Sequence, residues 1–474
     1  MLLALLACTD KVADTADTAA TATDTALVDD TGLAADGSVY AFDSAFGDGS
    51  SVSYSGQVLR QLLIDDMKAH LGGMTDRLDG GAFYPVAGDV VAELDFYFSF
   101  DSSAYGQVPI LKEASAPVLQ AVYDDVSSGK NLVEKLAGND PTGQHADWST
   151  ELVGWDAAGI TTPESLVRSW FDAIDAQAVD WAAGAVPLGP DGTPVPAVFV
   201  SPEGLDHQQL LEKFLRGAIA YSQATDDYLD DDLDGKGLNQ SHEPPEDGLY
   251  TDLEHAWDEA FGYFGAAVTY GGWTDSEIAD GDLDVDGDGF IDLSSELCWG
   301  HSVNAGKRDL GAVVATDFTA EAWQGFHAGR ALLAESAGTP LSDDQLAALS
   351  SSRDQAVSAW EKAIAASVVH YINETLADHA AMEGDGYSFA DHAKHWSELK
   401  GFALSLQFNP RSTLSASEFA SLHGLIGTAP ALATASAGAL DTTTANLREA
   451  RTLLGEAYGF DSANLGDDDG AGGW

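Results

Sequence analysis

Five groups of residues carry side chains that could hold a metal ion or move a proton. His255, Asp258 and Glu259 lie three and four residues apart, which puts them on one face of a helix. Imidazole and carboxylate together are ligands for iron or zinc, and helix-borne His/Glu pairs build such centres inside bundles. A second group is His392, His395 and Glu398. On a helical wheel both histidines share the stripe of Leu399, Phe402, Ala403 and Leu406, so they face the core, where an imidazole needs a partner. That partner is a carboxylate, a carbonyl or a metal. For both groups a purely structural pairing stands beside the metal reading. His370 with Asn373 and Glu374, and Glu296 and His301 near Cys298, read first as ordinary polar neighbours.

The last group implies different chemistry. Asp284, Asp286 and Asp288 alternate before Gly289, the D-x-D-x-D-G opening of a calcium loop. It sets hard oxygens at alternate positions and glycine at the sharp turn. Phe290 stands where such a loop offers a backbone carbonyl, and Asp292 also fits. The twelfth position is Ser295, and Glu296 comes one residue later, out of place for the bidentate Glu of a complete loop. Asp230, Asp232, Asp234 and Gly235 make a poorer copy. A solvated acidic loop is the alternative in both cases. No H-E-x-x-H, G-x-S-x-G, phosphate-binding loop or post-strand G-x-G-x-x-G motif is present, so no sequence motif points to catalysis.

The elements that must position these residues are helical. Thr251 and Glu254 form a capping-box pattern, so a helix starts near Thr251. Leu253, Trp257, Phe261, Phe264 and Val268 follow at helical spacing. Gly262 and Gly265 each cost a helix about 1 kcal/mol against Ala, which points to a close backbone approach. Periodicity predicts further helices over 57–71, 88–98, 116–126, 206–228, 320–334, 342–349, 353–376, 388–408, 415–425 and 443–458, with one more starting at Thr162 and Pro163. Irregular stretches separate them at 184–204 and 271–317. With so many helices and so little strand, the fold class is all-α, built as bundles.

The chain has 474 residues, 45% of them hydrophobic, enough for a sizeable core. Its 77 acidic residues against 21 basic ones leave a formal charge of −56. That excludes nucleic acid as a partner, because phosphate binding needs clustered Lys and Arg. It fits attraction of cations, or work in high salt. Cys8 closes the lipobox-like run LLAC (5–8), which implies lipidation and a membrane anchor. Residues 9–36 are Thr, Ala and Asp with little else, a composition that reads as a disordered tether. No apolar run reaches the ~18 residues of a membrane span. The expected organisation is a signal and lipobox remnant (1–8), the tether (9–36), an N-terminal helical half (37–200), a C-terminal half carrying the His/carboxylate motifs (201–462) and a disordered tail (463–474).

Several strings occur in order along the body: SVSYSG (51–56), HAWDEAFGYFG (255–265), NAGKRD (304–309), WEKAIA (360–365), HYIN (370–373), HWSELKGFAL (395–404) and QFNP (407–410). They resemble an uncharacterised family of bacterial lipoproteins, itself similar to the imelysins, helical cell-envelope proteins linked to iron uptake. Imelysins carry G-x-H-x-x-E; here Leu253 stands at the Gly and Asp258 at the Glu, with Glu259 next to it. His395 and Glu398 keep the H-x-x-E spacing later in the chain. The resemblance implies an imelysin-like pair of packed bundles and a lipid-anchored protein of the cell envelope, on the outer membrane or facing the periplasm. It implies a non-catalytic role, binding iron, zinc or another divalent metal or assisting an outer-membrane iron-uptake system. His255, Asp258, Glu259, His392, His395 and Glu398 are then the transition-metal ligands. A metal-dependent peptidase of the imelysin type and a structural surface protein stabilised by calcium are the two alternatives.

Overall fold

Thr251 caps the helix that the sequence marks most clearly. Its Oγ1 accepts from the Glu254 amide (3.2 Å), and Glu254 Oε2 accepts from the Thr251 amide (2.9 Å). The helix buries Leu253, Trp257, Phe261 and Phe264. It ends earlier than its apolar stripe, because Gly265 takes a left-handed φ of 81°. Val268 therefore lies beyond the helix and gives its amide to Ser295 (2.8 Å). Gly262 is the close approach that the sequence implied. A Cβ there would sit 2.8 Å from the Cβ of Tyr54 and 2.9 Å from that of Gln57.

The computed structural model describes residues 37–474 apart from 141–143, 156, 383 and 385. Cys8 and the segment 9–36 lie outside the described residues. The helices are α1 (Ser55–Gly72), α2 (Met74–Asp79), α3 (Asp89–Phe98), α4 (Ser102–Tyr105), α5 (Pro163–Ala182), α6 (His207–Leu215) and α7 (Asp252–Phe264). They continue with α8 (Asp275–Asp280), α9 (Gly300–Gly311), α10 (Phe318–Glu335), α11 (Asp343–Ala381), α12 (Phe389–Ser405), α13 (Ala416–Ile426) and α14 (Ala437–Tyr458). Beyond α6 the helix widens to π pitch at Arg216–Tyr221 and Ala224–Tyr228. Among the described residues the extended structure amounts to isolated bridges. The all-α expectation therefore holds.

The 39-residue α11 is the central pillar, packed against α9, α10, α12 and α14. Its Glu361 is buried and takes donors from several elements. These are Tyr221 OH (2.8 Å), Asn409 Nδ2 (2.5 Å), Ser412 Oγ (2.9 Å), the Thr413 amide (2.7 Å) and Tyr458 OH (2.9 Å). A buried carboxylate supplied this fully ties its helix to its neighbours without a counter-cation.

Five expectations are corrected. The serines 350–352 do not break α11; their helix propensity is only modestly poor, and burial of Leu349 and Arg353 carries the helix through. Residues 116–126 are not a helix, because Val118 pairs in parallel with Ile291 and Pro109 with Val122. The stretch 271–317 is not irregular throughout: it contains α8 and α9, the latter with few apolar residues. The tail is ordered: Trp474 is 5% exposed, its Nε1 donates to Arg308 O (2.8 Å) and its carbonyl accepts from Asn373 Nδ2 (2.9 Å). Residues from both sides of 200 also share one core, since α1 packs on both α6 and α7 and the described residues form one compact unit.

Candidate metal centres

The carboxylate of Asp258 lies deep in the protein and is already answered. It accepts from Arg330 Nε (2.8 Å), Tyr40 OH (2.9 Å) and the Ser53 amide (3.3 Å). Arg330, itself fully buried, gives Nη1 to Glu254 (2.9 Å) and Nη2 to the carbonyl and hydroxyl of Ser51 (3.1 and 2.6 Å). Burial pushes the Asp258 carboxyl up, and Arg330 opposes that without cancelling it. Its neighbours on the helix face elsewhere. His255 sets Nδ1 3.1 Å from Ser53 O, so that nitrogen carries the proton. Its Nε2 is 3.8 Å from Glu259, which in turn accepts from Gln57 Nε2 (2.7 Å).

The second predicted group is also dispersed. His392 is buried, takes a hydrogen bond from Tyr387 OH (3.1 Å) and packs edge-on to His379. Burial holds its pKa down at about 3, so the ring is neutral. His395 turns to Asp378 (2.9 Å) and Glu374 (3.9 Å) on α11, and Glu398 to Lys213 (3.6 Å). The two groups lie against different neighbours, α7 on α10 and α1, α12 on α11 and α6. No three of these six residues bring ligand atoms within 4.8 Å of one another. The predicted transition-metal set is thus not assembled; an arginine, a tyrosine, a lysine and carbonyls take its ligand atoms.

The calcium-like loop is more complete than its sequence. Asp282 and Leu297 pair at its stem, with the Leu283 amide on Glu296 O (3.1 Å). Ile291 is buried and clamps the loop to 117–119 through two amide–carbonyl bonds of 2.9 Å. Gln120 adds two side-chain bonds, to Asp292 (2.8 Å) and from the Leu293 amide (3.1 Å). Inside the loop Glu296 folds back. Its Oε1 accepts from the Val285 amide (2.8 Å) and its Oε2 from the Asp292 amide (3.0 Å). Glu296, Asp284 and Asp286 each bring a carboxylate oxygen within 4.8 Å of the others. Asp288 and Asp292 turn instead to the amides of Phe290 (2.7 Å) and Ser294 (2.8 Å). Gly287 and Gly289 hold φ of 74° and 87°, which the turns between these aspartates require. Burial raises the Glu296 carboxyl above its ordinary range.

A further cluster joins residues that no local pattern connects. Asp226 sits on the second π segment, and Asp230 and Asp232 just beyond it. His145 Nδ1 lies 2.5 Å from Asp226, and its Nε2 3.2 Å from Asp232 and 3.7 Å from Asp230. Arg411 also pairs with Asp230 (3.0 Å). Burial works against a charge on His145, but Asp226 together with Asp232 and Asp230 outweighs it and raises its pKa. The sequence pointed to Asp230 and Asp232 but carried no sign of His145.

A family model described as a domain of unknown function (DUF4856) matches residues 147–276. This DUF4856 domain spans α5, α6 with its π segments, and α7. It includes Asp226, Asp230 and Asp232 but neither His145 nor the 284–296 loop. No curated protein and no solved structure matches the chain.

Proposed function

We propose that this chain is a non-catalytic helical protein that binds divalent cations, with Ca²⁺ in the 284–296 loop. The observation that carries the reading is Glu296. It stands one position late in sequence, yet its carboxylate meets those of Asp284 and Asp286 within 4.8 Å. Three carboxylates supply charge and hard oxygens, and main-chain carbonyls and water complete the roughly six to eight oxygens that Ca²⁺ takes. The loop then pins 117–120 to the body, so the cation contributes to stability. At a free concentration of a hundred times Kd, binding adds about 2.7 kcal/mol by mass action. Calorimetric titration of the EGTA-stripped protein should show a single saturable Ca²⁺ site and a higher Tm on loading. Glu296→Gln should weaken binding at least tenfold. Absence of heat and of any Tm shift at millimolar Ca²⁺ rejects the reading.

A second, softer site is favoured by the orientation of His145. Asp226 on Nδ1 is the carboxylate–histidine arrangement that orients a ligating imidazole, and Nε2 faces two further carboxylates. One nitrogen and two oxygens suit Zn²⁺ or Fe²⁺. Zinc binding should disappear in His145→Ala while Ca²⁺ binding is unchanged. Unaltered zinc affinity in that variant removes His145 from the reading.

A further inference from the structure

Basic residues are scarce in this chain, 21 among 474, yet five of them line one cleft. The cleft measures about 780 Å³ and lies between α1, α6 and α9. Lys68 comes from α1, Lys213 and Arg216 from α6 and its π extension, Lys307 from α9 and Lys112 from the segment before the 118–291 pairing.

Their pairing is incomplete. Glu212 alone serves Lys68 (2.5 Å), Lys213 (2.8 Å) and Arg216 (3.4 Å). Asp65 serves Lys112 (2.7 Å) and again Arg216. Glu398 reaches Lys213 at 3.6 Å. Lys307 has no carboxylate within 4.0 Å among the described residues. Lys307 is exposed, and partial desolvation together with repulsion from Lys213, Arg308 and Lys68 lowers its pKa against the pull of Glu212. Five acids line the cleft as well as five bases, so its formal charge is zero against −56 for the whole chain. The other acids lining the cleft are Glu113, Asp280 and Asp282, the last accepting from the Ser115 amide (3.2 Å).

The start of α9 adds to this. Gly300, Val303, Asn304 and Lys307 all line the cleft, so one face of this 12-residue helix fronts it from its first turn. Trp299 gives no side-chain cap there, and no acid stands in the first turn. A helix N-terminus carries partial positive charge and free amides, which favour an anion. Here the first turn meets a cation instead. The Arg216 guanidinium packs so closely on Gly300 that no Cβ would fit.

We infer that this cleft binds a small, multiply charged oxyanion, a phosphate monoester or a polycarboxylate, held by Lys307, Lys213, Lys68 and the N-terminal turn of α9. The ligand's charge is met by Lys307, which has no carboxylate partner among the described residues, and by two lysines that share Glu212. None of these groups belongs to the cation loop, and the test is run without Ca²⁺, so it succeeds or fails apart from the proposed Ca²⁺ binding. The test is calorimetric titration of the full chain with inorganic phosphate and with citrate, in EGTA at low salt. At least one anion should bind saturably with Kd in the millimolar range or below, and weaken steeply as NaCl is raised. Phosphate alone points to the ester class, citrate alone to polycarboxylates. Lys307→Glu should weaken binding at least tenfold, and Lys307→Gln by a smaller factor, with the ligand-free Tm of Lys307→Gln unchanged. No binding of either anion at 10-fold the expected millimolar range (~10 mM), or equal binding by wild type and both variants, overturns the inference.

Discussion

Two sets of carboxylates separate sharply in this protein. Asp258 and Glu254 of α7 are buried and answered by Arg330, a cation of the chain itself. Asp284, Asp286 and Glu296 converge with only backbone amides to answer them. Amides orient carboxylates but bring no net charge, so the loop keeps a demand that α7 has already met. A cluster of acids therefore indicates a cation site only after its internal counter-charges have been counted. By that measure α7 is architecture, and the loop is the place where carboxylate charge meets no cation among the described residues.

The largest way to break this contrast is to remove the internal cation. Arg330→Met leaves Asp258 and Glu254 buried without a counter-charge, and such a loss costs about 3–5 kcal/mol. Urea denaturation should show that fall, and added Ca²⁺ or Zn²⁺ should not restore it. Restoration by a metal would make α7 a binding site after all. An intermediate effect is expected from pH. Burial raises the Glu296 carboxyl, so protons compete with Ca²⁺ from above its ordinary value of 4.5 downward. Ca²⁺ affinity should be full well above that window and fall as pH drops into it. Glu296→Gln should flatten the profile. The smallest effect belongs to His255→Ala. The ring is 29% exposed and holds one carbonyl bond, so about 1 kcal/mol or less should be lost, with no change in metal content. A stoichiometric transition metal lost in that variant would revive the α7 site.

How much of this was legible follows the distance between partners. The Thr251–Glu254 cap, the packing face of α7 and the Gly262 approach are local, and the sequence marks them. Spacing also placed His255 and Asp258 on one helix. It could not show that Arg330, 72 residues on, would take Asp258. The same limit hid His145, which meets Asp226 across 81 residues. Residues 116–126 carry an apolar pattern compatible with helix, but distant partners, Ile291 for Val118 and Pro109 for Val122, hold them out of it, and only Tyr123–Asp125 makes a 3-10 turn. Glu296 shows a subtler failure. Counting positions disqualified it, whereas the folded loop turns its carboxylate inward past Ser295.

The stem of the loop has a thermodynamic consequence. Asp282 and Leu297, paired at the loop's base, are also part of the cleft wall, beside Cys298 and Gly281. A stem shared by the loop and the cleft wall gives the two proposed sites a route by which to couple. By linkage, the factor by which a bound cation would change an anion's affinity equals the factor by which the anion would change the cation's.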